Sequence, residues 1–167
     1  MIVTLQEIEE RMRPGRFSEK GFLGPQEQLT EVLAADAQTL AELNLSAVTL
    51  AQELCDLLEP VVNSGRSTGR VRQFNVRLIR YKGMQVCPFA PDPVRSPCSL
   101  DRALRFGSID WRVRNRNTHE ELHGPGLAVH LIGQHSFFEG PKSPYRVDPR
   151  ALARLFEHGT RDRRPLT

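Results

Sequence analysis

The spacing of apolar residues changes part-way along the chain, and this change limits the fold more than any other feature. Over residues 29–61, apolar residues recur every three or four positions, as on the buried face of a helix. Over residues 74–78, and again over 109–113, they alternate with polar residues, as in a half-buried strand. The sequence therefore predicts an α+β protein, in which N-terminal helices pack on a small antiparallel sheet and helices follow at the C-terminal end.

The segment NSGRSTGR, residues 63–70, is small and polar and separates these two patterns. We expect a helical part over residues 1–62 and a strand-rich part, which carries the candidate metal site, over residues 70–158. Both belong to one compact domain, because 167 residues suit a single core. The tail over residues 159–167 is predicted to be disordered.

Capping signals predict where several helices begin. A capping box at Thr4 begins a short first helix, and Pro25 suits the first turn of a second. Ser46 is the predicted N-cap of a third helix. One further helix is expected after residue 126, and a last one from Asp148.

The alternating segments predict three strands. Phe74 begins the first, and after the turn Tyr81-Lys82-Gly83 a second short strand carries Met84 and Val86, so that the two form a hairpin. The third strand, over residues 109–113, runs into the polar turn NRNT. Cys55, beside the apolar stripe of the third helix, is predicted to be a small buried hydrophobe.

Composition excludes some classes of protein. The chain is 39% apolar and 26% charged, and no apolar run approaches the roughly 18 residues that span a bilayer. The segment MIVTLQEIEERMRP has acidic residues where a secretory signal needs a basic start and an apolar stretch. We therefore expect a cytoplasmic location without a membrane partner, where three cysteines do not form a disulfide framework.

Arginine supplies nearly all of the positive charge, and the net charge is +3. Arginine binds phosphate through two parallel hydrogen bonds, so a nucleic-acid partner is one hypothesis, with Arg70, Arg72, Arg77 and Arg80 as the contacts. Successive side chains of a strand point to opposite faces, so if these four lay on one strand, they would not all share one face. The sequence therefore permits this partner without favouring it.

Residues 119–123 spell H-E-x-x-H, the string of zinc peptidases. There, two histidines one helical turn apart hold the metal and the glutamate activates a bound water. That chemistry needs a long helix, but Gly-Pro-Gly follows the string at once. We interpret the string as a hairpin or a one-turn helix, and a metal-dependent hydrolase that uses His119, Glu120 and His123 is the alternative.

Two cysteines and two histidines form the stronger candidate for a metal site: Cys87, Cys98, His130 and His135, in the order C-x10-C and H-x4-H. Zinc binds two thiolates and two imidazoles tetrahedrally. The histidine spacing is usual for structural sites, whereas the cysteine spacing is wider than usual. A metal would also explain the order of the proline-rich loop between the cysteines. Histidines five apart point about 140° apart on a helix, so both can bind only if the helix ends or tightens near Gly133.

The same residues allow other interpretations. His130 could face the core while His135 is exposed, and the two cysteines could be plain thiols or a redox pair. A histidine of the H-E-x-x-H string could replace one ligand. His158 is interpreted as a favourable charge at the end of the last helix.

The segment FFEGPKSPYRVDP follows the second histidine of the candidate site. Its aromatic residues are expected to pack it onto the core, and Arg146 to pair with Glu139. In the hydrolase alternative, three of the four ligands would hold the metal. Glu139, Arg146 and Asp110 would then line a pocket beside it, with Glu139 as general base for a zinc-bound water.

Five segments carry a resemblance to other proteins: RMRPGRFSEKGFLGPQEQLTEVL, YKGMQVCPF, GSIDW, HLIGQHSFFEG and SPYRVDPRALARL. In these segments and their order, the chain resembles a family of short uncharacterised bacterial proteins. The resemblance covers most of the chain and implies no activity. The residues predict a cytoplasmic protein with a structural zinc site and a binding or accessory role, and the resemblance implies a bacterial one. The alternatives are a metal-dependent hydrolase and a nucleic-acid-binding accessory protein.

Overall fold

The computed structural model describes residues 2–92, 98 and 106–159. Its elements, in chain order, are α1 (Leu5–Arg11), α2 (Leu29–Leu43), α3 (Ala47–Asn63), β1 (Thr68–Val71), β2 (Phe74–Arg80), β3 (Ile109–Asn115), β4 (Glu121–Pro125), α4 (Leu127–His135) and α5 (Pro149–Leu155). The predicted α+β class is confirmed. Among the described helices, none combines the length and the apolar character that crossing a membrane requires.

The four strands form an antiparallel sheet in the order β1-β2-β3-β4. Strands β2 and β3 alternate buried and exposed side chains, so one face of the sheet is covered and the other meets solvent. Helix α3 packs against β1 and β2, and α4 packs against α3. Trp111 lies in the covered face, where its indole N–H donates to the carbonyl of Pro125 at 2.9 Å.

The buried apolar side chains form two clusters. The first core lies between the covered face of the sheet, α3, α4 and α5. The second core joins the connection after α1, the start of α2, the loop after β2 and the other side of α4, and its buried members are Met12, Phe22, Leu23, Leu29, Val32, Cys87, Ala90, Leu127, Leu131 and Phe137. Helix α4 therefore contributes to both cores.

Several predicted boundaries are confirmed. The capping box at Thr4 is present, and the Ser46 side chain accepts a hydrogen bond from the backbone N–H of Thr49. Asp148 caps α5 in the same way. Strand β3 and the helix after residue 126 lie where they were expected, and Cys55 is buried in the first core. The predicted disordered tail lies outside the described residues from position 160 onward.

Helix α2 begins at Leu29, and the predicted start at Pro25 is wrong. At Leu29 and just before it, backbone groups of the chain hydrogen bond with α1 and with the residues that follow it. The Arg13 guanidinium donates to the carbonyl of Glu27 at 2.6 Å, and the Leu29 N–H donates to the Glu9 carboxylate at 2.8 Å. The carboxylate of α1 thus caps α2, since the N-cap residue of α2 makes no such bond with its own side chain.

The hairpin partner of β2 is β1, and the strand predicted through Met84 and Val86 is wrong. A two-residue turn joins β1 to β2, with Arg72 in the left-handed region at φ 51°. The other edge of β2 pairs with β3, so no edge is left for residues 84–86. Met84 is 64% exposed there and Val86 38%.

A buried ion pair ties α2 to the segment before α5. The Arg146 guanidinium meets both carboxylate oxygens of Asp36, at 2.6 and 3.1 Å, and the two side chains are 14% and 5% exposed. A second pair, between Glu42 of α2 and Arg150 of α5, is about half exposed at both ends. The same two parts of the fold are thus joined once in the interior and once at the surface.

This contrast gives a test with an internal control. Asp36→Ala leaves the Arg146 charge in the interior with only the more distant Asp148 carboxylate, at 3.7 Å, and we expect the free energy of unfolding to fall by about 3 kcal/mol. Glu42→Ala breaks the exposed pair and should cost less than about 1 kcal/mol. Urea unfolding of both variants measures the difference, and equal losses would contradict the assignment of Arg146–Asp36 as a structural pair.

Candidate metal centre

The four predicted metal ligands lie together, although they come from two separate parts of the chain. Cys87 and Cys98 belong to the loop after β2, where the Ala90 N–H closes a turn on the carbonyl of Cys87 at 3.2 Å. His130 and His135 belong to α4. One sulfur or ring nitrogen from each of the four residues lies within 4.8 Å of the others.

His135 lies close to both sulfurs. Its Nε2 is 3.4 Å from Cys87 Sγ and 3.6 Å from Cys98 Sγ. In a tetrahedral zinc site with bonds of about 2.0–2.3 Å, neighbouring ligand atoms lie about 3.4–3.8 Å apart. Both cysteines are free thiols. The distances therefore match the edges of such a tetrahedron.

Helix α4 runs through Gly133 without a break and ends at His135, followed by Ser136 at φ 51°. The helix therefore ends two residues after Gly133, as the expectation of an end near this residue requires, but it does not break at Gly133 itself. Gly133 has a different role, because a Cβ there would lie 3.1 Å from the Cβ of Ala51 on α3. The glycine lets the two helices approach. The ring of His135 still meets that of His130, with centroids 5.2 Å apart.

An aromatic side chain from the loop covers the cluster. The ring of Phe89 stacks on that of His135 at 4.2 Å, and Phe137 packs edge-on against Phe89 at 5.6 Å. Cys87 and His130 are buried, at 4% and 0% exposure. Sequence reasoning missed Phe89. Its position two residues after Cys87, in the string CPF, was the feature that could have indicated a contact with the cluster.

The loop is also held by α1. The Arg11 guanidinium donates to the carbonyls of Pro88 and Ala90, at 3.1 and 2.7 Å. These bonds fix the backbone immediately after Cys87, so the first cysteine is positioned by contacts that involve no metal. Sequence patterns gave no sign of this role for Arg11, because its partners are backbone carbonyls almost 80 residues away.

Burial, together with the neighbouring thiol of Cys98, raises the pKa of Cys87 well above its usual range. Two adjacent thiolates in an apolar site repel one another and lack solvation. A divalent cation reverses this balance, because it binds the thiolate form and releases the proton. The cluster therefore has the donor atoms to hold a metal ion.

The H-E-x-x-H string lies in the β3–β4 hairpin. His119 occupies the turn at φ 65°, and His123 is exposed on β4. The two histidines therefore lie in a turn and on a strand, and not one turn apart on a helix as the zinc-peptidase site requires. Glu120 lies 3.7 Å from Arg154 instead of between the histidines. The alternative hydrolase set is therefore not brought together.

The predicted pocket of Glu139, Arg146 and Asp110 is not formed either. Glu139 is 2% exposed. The Arg146 side chain pairs with Asp36 and not with the Glu139 carboxylate, although it also donates to the backbone carbonyl of Glu139. Asp110 accepts a hydrogen bond from the hydroxyl of Tyr81 at 2.9 Å. His158, interpreted as a helix-end charge, lies 2.7 Å from Glu53 of α3.

Glu139 belongs to a buried hydrogen-bond chain. Ser143 Oγ lies 2.6 Å from Glu139 Oε2 and 3.1 Å from the carbonyl oxygen of Gly21. The hydroxyl has one proton, so both contacts are hydrogen bonds when Ser143 donates to Gly21 and a protonated Glu139 donates to Ser143. Burial raises the pKa of Glu139 to about 8, against the smaller lowering effects of Ser143 and Arg146. The group is therefore a neutral, structural acid at pH 7.

We compared the chain with protein-family models, with curated proteins and with solved structures, and none matched. Within the described residues, the Cys/His cluster is the one group of metal-binding side chains whose ligand atoms converge.

The protonation of Glu139 predicts a pH dependence of stability. Between about pH 4.5 and 8 the folded chain keeps a proton on Glu139 that the unfolded chain releases, so the free energy of unfolding falls as the pH rises. Glu139→Gln keeps the donor to Ser143 but does not titrate. The stability of wild type relative to the variant should fall by at most about 1.4 kcal/mol per pH unit over this range. Urea unfolding at several pH values measures it, and a constant difference would contradict the assignment.

Proposed function

We propose that Cys87, Cys98, His130 and His135 bind a zinc ion, and that the metal is structural in a protein with a binding or accessory role. The observation that carries this proposal is the convergence of four ligand atoms, from a loop and a helix, within 4.8 Å of one another, with the two distances from His135 to the sulfurs at the spacing of a tetrahedron. Two thiolates and two imidazoles are donors that zinc prefers, whereas magnesium and calcium prefer oxygen.

A closed coordination shell supports a structural role over hydrolysis. Four protein ligands fill a tetrahedral site, whereas a catalytic zinc keeps one position for water or substrate. The stacking of Phe89 on His135 covers the site further. Glu139, the proposed base of the hydrolase alternative, already has a buried structural partner in Ser143.

The setting that we infer for the protein is a reducing one. Free cysteines that act as metal ligands persist in the cytoplasm, where thiols are kept reduced. A bacterial cytoplasmic origin, and membership of the family that the chain resembles, fit this setting and stay predictions.

Elemental analysis of the purified chain tests the metal site. Wild type, purified without added metal, should carry about one zinc per chain, and Cys98→Ser should lose it because a half-buried thiolate ligand is gone. Cys55→Ala is the matched control, since this third cysteine lies in the first core and away from the cluster. It should retain the zinc, as should His123→Ala.

Cobalt substitution gives a second measurement that does not depend on zinc supply. Wild type should take up cobalt with the visible absorption of a tetrahedral thiolate site, and Cys98→Ser should not. Metal kept in Cys98→Ser and lost in His123→Ala would contradict the assignment. It would indicate that the hairpin histidines bind the metal. A wild-type chain that binds neither metal would overturn the proposal.

A further inference from the structure

The open face of the sheet carries two rows of polar residues that cross all four strands. Within each row, the residues are partners on neighbouring strands. The first row is Thr68, Arg77, Arg112 and His123, and the second is Arg70, Asn75, Arg114 and Glu121. The rows lie two residues apart along the strands, which is about 6.6–6.8 Å. Together with Arg66, these residues give the face five arginines.

The arginines line an open groove of about 570 Å³. Among the described residues, Glu121 is the one acidic residue along it, and it lies 3.5 Å from Arg112. The guanidiniums of Arg66, Arg70 and Arg77 make no ion pair or hydrogen bond within the part of the chain that the structure describes. The groove therefore holds more positive charge than the net +3 of the entire chain.

The fold does not require this arrangement. Arg77 and Arg112 lie directly opposite each other on neighbouring strands. Like charges in such a pair destabilise a sheet, so these residues weaken the fold that presents them. A ligand with repeated negative charge would offset the repulsion.

We propose that this face binds the phosphate backbone of a nucleic-acid duplex. Arginine forms paired hydrogen bonds with phosphate, and protein surfaces that bind nucleic acid are polar and strongly basic. An acidic protein partner fits less well, because protein interfaces are organised around buried apolar or aromatic side chains. In the part of the chain that the structure describes, the one large apolar residue along the groove is Val76, which points into the covered face and is 2% exposed.

The choice of a duplex over a single strand comes from what the groove lacks. Proteins that bind single strands usually stack the bases on aromatic side chains. No aromatic residue lines this groove within the described residues. A duplex keeps its bases stacked inside and presents regularly spaced phosphates, so it needs only the charges that the groove has. Binding is then independent of base sequence.

The arginines on this face differ from the set that the sequence predicted as nucleic-acid contacts. Arg70 and Arg77 lie on the same face, because a turn puts them on different strands and resets the parity. Arg72 lies in that turn, and the Arg80 guanidinium donates to the carbonyls of Val62 and Arg66. The groove adds Arg66, Arg112 and Arg114. Since these side chains lie on the uncovered face, the inference does not rest on the zinc site.

Anisotropy titrations with a short labelled DNA duplex, over a range of salt concentrations, test the proposal on the full-length protein. We compare wild type with Arg77→Gln/Arg112→Gln. The matched control is Arg16→Gln/Arg150→Gln, which removes the same charge from exposed arginines outside the groove. The groove variant should bind at least about ten-fold more weakly, with a slope of log K against log salt smaller by about 1.8, from two lost phosphate contacts. The control should stay within about two-fold of wild type.

Each other outcome overturns the proposal. These outcomes are no binding by wild type at low salt, an equal loss in the control, and tighter binding of the corresponding single strand. Displacement of the duplex by poly-glutamate at equal charge would instead indicate an acidic protein partner. The thermal midpoint of the groove variant should not fall, because the change removes a repulsion. If it does fall, Arg66→Gln/Arg70→Gln repeats the test away from that pair.

Discussion

Helix α4 is the element on which the rest of the structure depends, because it is buried on nearly all sides. Its buried apolar residues divide between the two cores: Ala128, Val129 and Ile132 in the first, and Leu127 and Leu131 in the second. A helix in this position can carry polar side chains only where they are bonded. His130 is fully buried, and His135 lies at the helix end under Phe89. In the cluster with the two cysteines, His135 lies close to both sulfurs, and His130 brings a ring nitrogen within 4.8 Å of the other ligand atoms.

The second core explains why a metal would matter to this fold. It contains no part of the sheet and depends on the loop after β2, which has no helix or strand over residues 81–90. Contacts from Arg11 fix the start of that loop. The free energy of zinc binding to the structural sites of zinc-finger peptides is about 10–16 kcal/mol, which is comparable to the stability of a whole domain. Losing the metal should therefore loosen the second core, while the first keeps its own packing.

How far the sequence predicts this structure depends on the range of each interaction. Local patterns identify α3 by its cap at Ser46, β2 and β3 by alternation, and the four candidate ligands by residue type and spacing. Strand β1 was missed because its exposed and half-buried residues give weak alternation. Tertiary partners were also missed: Glu9 caps α2 from another helix, and Arg146 pairs with Asp36 across 110 residues. The arginine face required the strand register, which single-strand parity cannot supply.

X-ray absorption at the zinc edge of the purified protein tests the central claim most directly, because it counts the ligand atoms by element. The proposed site predicts two sulfur ligands at about 2.3 Å and two nitrogen ligands at about 2.0 Å, which is a closed shell. A shell of nitrogen and oxygen alone would contradict the cysteine assignment. A shell with two sulfurs, one nitrogen and one water oxygen would contradict the structural role and indicate a catalytic metal.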